Sequence, residues 1–207
     1  MAAIDMRMAH RFGYVIKPLA VARMLEEGAL DLRVHPALVP ESGVLASISG
    51  ALNIVTIEGA MLGPCSLSGY GAGALPTAMS VVSDIVDVGR NLVRGASGRV
   101  PQRAFRGEHL LARPVRDVGR HVGPYYLRFS VLDRPGMLAR IAGVLGAFDV
   151  SIEQMVQEGR AGESDAAVQV VMLTHEAREA NVRSALREIH MLSGIVSPTT
   201  ALRIERG

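Results

Sequence analysis

The chemically most suggestive stretch of the chain is Gly69-Tyr70-Gly71-Ala72-Gly73-Ala74, which satisfies the G-x-G-x-x-G/A spacing. Between a strand and a helix, glycines so placed let the backbone approach a ligand closely and let helix amides receive a phosphate. The surroundings favour a plainer turn at a helix entry: no second strand follows, and no acidic residue closes one about twenty positions on. Lys17 is the only lysine among 22 basic residues, so chemistry needing an amine has one candidate. Cys65 is the single cysteine, which excludes an internal disulfide and a cysteine-built zinc cluster and suits a reducing compartment. His10, His35, His109, His121, His175 and His190 form no i, i+4 pair, so no metal site is expected. Asp84 and Asp87 lie three apart on one helix face, the arrangement of ordinary surface carboxylates. Seven arginines run from Arg94 to Arg120, but Glu108 and Asp117 interrupt them, which fits a solvated connector better than a polyanion site.

Composition bounds what can position these residues. A length of 207 residues allows one or two domains, and 49% hydrophobic content supplies a core. Aromatics make up 4% with no Trp, which argues against a module that stacks nucleic-acid bases. Mean hydropathy is +0.26, yet no run of about 18 apolar residues exists to span a membrane. The first residues lack the apolar core of a signal peptide, so a cytoplasmic protein is expected. A net charge of +2 does not imply a polyanionic partner.

Three regions separate along the chain: 1–94, apolar and periodic; 95–121, rich in Gly, Pro and Arg and read as a linker lying against a neighbour; and 122–207, periodic again. In the first, Ile4, Met8, Phe12, Val15, Leu19 and Ala22 fit a helix from Ile4 to Glu27, which Pro18 should kink or divide. Leu30, Leu32 and Val34 alternate as a strand. Leu52–Ile57 and Met61–Leu67 form a hairpin, and a helix from Pro76 to Leu92 follows the glycine loop. In the last region the order is strand (Tyr126–Leu132), helix capped by Asp133, strands Val150–Val156 and Ala166–Leu173 separated by Gly159 and Gly162, helix after Thr174, and strand Ile195–Ile204 interrupted by Pro198. That β-α-β-β-α-β order is a split βαβ sandwich with both helices on one face.

The run from Gly69 to Val88 closely resembles the glycine-rich loop and helix near the end of the catalytic region of homoserine dehydrogenase. The similarity extends to Gly13-Tyr14-Val15-Ile16-Lys17, Arg33-Val34-His35-Pro36, Leu45-Ala46-Ser47 and Glu58-Gly59. From Pro124 to Arg206 the chain resembles an ACT domain, an amino-acid-sensing module. Gly43-Val44, Ser49, Ala60 and Pro18 depart from the family pattern, and fit a diverged paralogue as well as a piece of an active enzyme. The resemblance implies an α+β chain: an incomplete homoserine dehydrogenase catalytic and dimerisation region (1–94) with a mixed sheet, then a ferredoxin-like βαββαβ ACT domain (122–207).

In the family an N-terminal Rossmann domain binds NAD(P), and a helix with an Asp-x-Ala-Arg-Lys motif holds homoserine. Neither is recognisable here, and Lys17 belongs to a different motif. The resemblance therefore implies NAD(P) in a complete enzyme and none for this chain alone, no catalytic residue within it, and no oxidation of homoserine by it unaided. The loop Gly71, Ala72 and Gly73 would approach the nicotinamide half of the cofactor. The effector site implied for the ACT region is Asp133, Arg134, Pro135, Gly136, Met137 and Leu138, where helix-start amides face a ligand carboxylate, with Gln154 and Met155 on the next strand. Threonine is the effector the family suggests. Expected partners are a second copy, as a homodimer or higher homo-oligomer, and a missing or separate Rossmann half, with neither nucleic acid nor membrane. The other reading is a free-standing amino-acid-binding regulatory protein derived from the enzyme.

Overall fold

The computed structural model describes residues 1–96, 107–159 and 167–206, the side chain of His109 excepted. The readings at Gly98, Arg99, Pro101, Gly162 and Ala166 lie outside the described residues. In chain order the elements are α1 (Ala3–Arg11), β1 (Tyr14–Met24), β2 (Leu30–Pro40), β3 (Leu52–Gly59), β4 (Gly63–Tyr70), α2 (Ala74–Val93), β5 (Val122–Gly123), β6 (Tyr125–Leu132), α3 (Met137–Ala147), β7 (Ile152–Glu158), β8 (Ala167–Thr174), β9 (Ala177–Arg178), α4 (Glu179–His190) and β10 (Ile195–Ile204). They form two compact units, 1–46 with 114–207, and 47–113. The spatial division thus cuts across the linear one, because the first 46 residues pack with residues 114–207.

The larger unit is built on a six-stranded sheet in the order β1-β2-β10-β6-β8-β7. The four strands β10-β6-β8-β7 are antiparallel neighbours and carry the split βαβ arrangement. Alternation along β6 divides its side chains between two cores. Leu127, Phe129 and Val131 join Val170 and Met172 of β8 under Ile141 and Leu145 of α3 and Val182, Ala185 and Ile189 of α4. Tyr126 points the other way, with Val171, Leu173, Leu38, Leu202 and Ile204, and meets Met8 and Ala9 of α1. Each fully buried Leu, Ile or Phe in these layers contributes roughly 1.5–3 kcal/mol.

The helix expected from Ile4 to Glu27 is formed only in its first part. It ends at Arg11, Gly13 turns the chain at φ +78, and residues 14–24 pair with β2 over all eleven positions. Val15, Leu19 and Ala22 satisfy a helical spacing on paper, but the chain spends their β preference in a hairpin whose ladder satisfies the backbone. Pro18 causes no kink, since β1 is the sheet edge, where a missing amide is tolerated, and its partner across the ladder is Pro36.

The strand expected at Leu30, Leu32 and Val34 is formed as part of β2, with charged residues at the buried positions between them. Val34 is 87% exposed, whereas the intervening Arg33 is 6% exposed and Asp31 is buried beside it. Charged residues take the inner positions because each finds a partner there, as described below. Two boundaries also shift, and one expected interruption is present. The N-cap of α3 is Gly136, in the left-handed region, so Asp133 caps nothing. The second hairpin strand starts at Gly63 (φ +66), two residues after the expected Met61. Pro198 interrupts β10 through register shifts between Ile195 and Thr200.

In the smaller unit β3 and β4 pair as a two-stranded antiparallel ladder. The helix α2 contains Pro76 within its first turn, where the lost amide has no helical partner to forfeit. None of its twenty residues is buried.

Candidate effector-binding cleft

The turn from β6 into α3 sets one site. Strand β6 ends at Leu132, the amide of Arg134 donates to the Leu132 carbonyl at 2.9 Å, and that of Met137 donates to the Arg134 carbonyl at 3.2 Å. Gly136 then takes φ +84, a conformation that costs a side-chain-bearing residue of order 1 kcal/mol. No side chain caps the helix, so beyond the Met137 amide its first turn keeps amides without a side-chain acceptor at the positive end of the helix dipole.

This turn borders a cleft of about 360 Å³ lined by Leu132, Asp133, Arg134, Pro135, Gly136, Met137 and Leu138 together with Val131, Val168, Val170 and Gln157. All six loop residues proposed from sequence, 133–138, are therefore brought together. Gln154 and Met155 are not. Gln154 pairs across the ladder with Leu173, on the sheet face that carries α1, while Met155 pairs with Met172 one position along. The strand residue that lines the cleft is Gln157, opposite Val170. A register shift between Ile152 and Gln154 sets which residues of β7 face the helices, and no residue pattern announces it.

The cleft can hold a small zwitterion. A carboxylate suits the helix-start amides, an ammonium suits Asp133, and hydrocarbon suits the valines. Its lining contains no histidine, serine, cysteine or lysine, and its one carboxylate is that of Asp133.

The glycine loop has a local explanation. A Cβ on Gly71 would fall 1.7 Å from the Nδ2 atom of Asn53, and Gly73 sits at φ +128 as the N-cap of α2. The gap left by Gly71 is thus filled by this chain's own side chain. Residues 71–73 do not fit a cofactor cradle by themselves. Among the described residues no cluster of three or more metal-ligating side chains occurs, and no helix is long and apolar enough to cross a membrane.

Sequence reasoning missed a buried charge cluster. Arg33 donates to Glu205 and lies 3.2 Å from Asp31, and its Nη1 is 3.2 Å from His121 Nε2. Arg116 donates to Asp31 at 2.8 Å, and Arg23 to Glu205 at 3.3 Å. The backbone of Leu30 exchanges hydrogen bonds with Pro114 and Arg116, and the Glu179 amide donates to the His121 carbonyl, so the end of the supposed linker straps the hairpin to the sheet. Nearby, burial works against ionising Glu179. The Tyr125 hydroxyl (2.6 Å) and the Arg203 and Arg183 guanidinium groups (2.8 Å each) outweigh it and hold the carboxyl below the usual glutamate range. Burial, reinforced by Arg33, holds His121 below the usual histidine value, and His35 shifts the same way for the same first cause. The one available signal was a pair of charges two positions apart on β2, Asp31 and Arg33, among apolar residues.

Comparison with known proteins agrees with this fold. Residues 1–86 match the homoserine dehydrogenase family model, and residues 125–190 match the ACT domain model. The chain is 39% identical to homoserine dehydrogenase of Neisseria gonorrhoeae, over 97% of this chain and 46% of that protein. It is 36% identical to that of Pseudomonas aeruginosa, over 100% of this chain and 47% of that protein. The crystal structure of a homoserine dehydrogenase from Thiobacillus denitrificans superposes with a TM-score of 0.83 at 37% identity, covering 98% of this chain and 45% of that one. The chain spans about half the length of the curated relatives it matches.

Proposed function

Since the chain belongs to the homoserine dehydrogenase family and corresponds to a C-terminal portion of its members, we propose that it supplies amino-acid regulation and a subunit-assembly surface to homoserine dehydrogenase activity. That activity is the NAD(P)-dependent interconversion of homoserine and aspartate semialdehyde. The observation that carries the regulatory part is the cleft at the start of α3, where the loop Asp133–Leu138 meets buried valines of two strands. Effector binding there acts on an activity whose cofactor and proton acceptor lie on a Rossmann half. In that assembly Gly71, Ala72 and Gly73 border the cofactor with backbone only, since Asn53 already occupies the gap above Gly71. The assembly surface is the exposed apolar set on α2 and the β3–β4 hairpin, matched to a second copy of the chain.

The test is reconstitution. The folded chain is mixed with a Rossmann half from a relative, and homoserine-dependent NADP reduction is followed with and without amino acids. Turnover above that of either part, altered by an amino acid, is expected. No rate above background from folded components counts against the enzyme reading. A second reading, a free-standing amino-acid-responsive protein, draws on the larger unit, which closes its own two cores from residues 1–46 and 114–207. It predicts amino-acid binding by this chain with no response in the reconstituted activity.

A further inference from the structure

We infer that the cavity between β2, β10 and the start of α4 binds a small anion that carries its own hydroxyl group, a short hydroxycarboxylate. The cavity measures about 230 Å³, lies within the larger unit, and shares no lining residue with the cleft at the start of α3. Pockets for drug-sized ligands run from roughly 300 to 1,000 Å³, so this one suits an occupant of only a few heavy atoms.

The guanidinium groups call for the anion. Arg183 of α4 and Arg203 of β10 both line the cavity, and both donate to Glu179 at 2.8 Å. Two cations against one carboxylate leave a positive charge over. Arg203 places both Nε and Nη2 on that carboxylate, but Arg183 engages it through Nε. The outer edge of the Arg183 guanidinium, on a side chain 57% exposed, therefore stands open to a second carboxylate in the paired-donor geometry that arginine favours.

His35 calls for the hydroxyl. Its side chain is 8% exposed, its Nδ1 lies 3.2 Å from the Pro36 carbonyl, and its buried Nε2 has no hydrogen-bond partner among the described residues. Donation from Nδ1 leaves Nε2 of the neutral ring as an acceptor. A carboxylate oxygen of Glu205 stands 3.7 Å away, but it is an acceptor too and already receives Arg33. A buried acceptor left unpaired is costly, so a donor that enters the cavity gains by meeting it. Arg203 and Arg33 both oppose a positive charge at this ring, which favours a neutral O–H over an ammonium as that donor. Hydrocarbon from exposed Pro36 and Ala201 and half-buried Leu186 completes the lining. A short carbon chain covers it; an inorganic oxyanion does not.

The experiment is calorimetric titration of the full 207-residue chain with lactate and β-hydroxybutyrate, with propionate and butyrate as their counterparts lacking the hydroxyl, and with inorganic phosphate. The expected result is that at least one hydroxy acid binds about 2- to 10-fold more tightly than its counterpart, the worth of one net hydrogen bond. Arg183→Gln should weaken every carboxylate several-fold and keep the preference for the hydroxyl. His35→Leu should erase that preference and keep the carboxylates bound. Should His35→Leu not fold, the exposed Arg183 carries the test by itself. Equal affinity with and without the hydroxyl overturns the proposal, as does phosphate binding more tightly than both hydroxy acids. Binding that Arg183→Gln leaves unchanged places the acid elsewhere and overturns it too, and so does silence from all five compounds.

Discussion

Asp5 shows how one side chain can fix an element. It is 0% exposed, accepts from Arg128 Nε at 2.6 Å and from the Tyr126 hydroxyl at 3.0 Å, and takes the Ala2 amide at the helix start. Burial opposes its charge, yet these donors prevail and its carboxyl stays below the usual aspartate range. Asp5→Ala strands a buried guanidinium and a phenol together, so a loss of roughly 3–5 kcal/mol is expected by urea unfolding. Asp5→Asn, which keeps an acceptor, should lose less. A change under about 1 kcal/mol for Asp5→Ala would mean that α1 is not anchored there. At Gly136 a Cβ meets nothing within 4 Å, so Gly136→Ala costs backbone strain alone, about 1 kcal/mol in the same measurement. The loop 133–138 was legible because a strand, a Pro-Gly turn and an apolar helix follow in order. Gln157 was not, because a register shift carries no residue signature of its own.

At the scale of elements, the ACT strands and helices were readable from periodicity, since apolar positions two apart on β6 and β8 and three or four apart on α3 and α4 leave one consistent face each. The β1–β2 hairpin was not. Its apolar spacing fits two periods, and its inner face is made of charges whose partners sit some ninety to one hundred seventy residues away, as Arg33 with His121 and Glu205 shows. That seam has a pH consequence. His35 and His121 lie below the ordinary histidine value of 6.5 in the folded chain, chiefly through burial, with Arg33 and Arg203 opposing protonation and Glu205 only partly offsetting them. As pH falls below 6.5 the unfolded chain therefore takes up protons first, and stability declines from that point downward. A second decline follows below about pH 4.5, where the depressed carboxyls of Asp5 and Glu179 lose their advantage. Urea midpoints at pH 7.5, 6 and 5 should fall in sequence, and His121→Gln should flatten that first decline. A wild-type midpoint unchanged from pH 7.5 to 5 would remove the histidines from the account.

For the whole molecule the decisive feature is apolar surface left over within the smaller unit. Val82 and Ile85 of α2 are 55% and 64% exposed, and on the hairpin Val55 and Leu67, opposite one another in the ladder, are exposed along with Ile57. A two-stranded ladder is marginal alone, and a helix that buries nothing gains little from its own propensity. Such surface calls for a partner, and a self-complementary patch on identical chains closes most simply as a two-fold dimer. Light scattering at micromolar concentration should therefore give twice the mass of 22.0 kDa. The double substitution Val82→Asp and Ile85→Asp places charge on that face without touching the cores of the larger unit, so the mass should halve while the amino-acid cleft still binds. A monomeric mass for the unsubstituted chain would assign the patch to something other than a second copy, and the Rossmann half would be the next candidate to titrate against it.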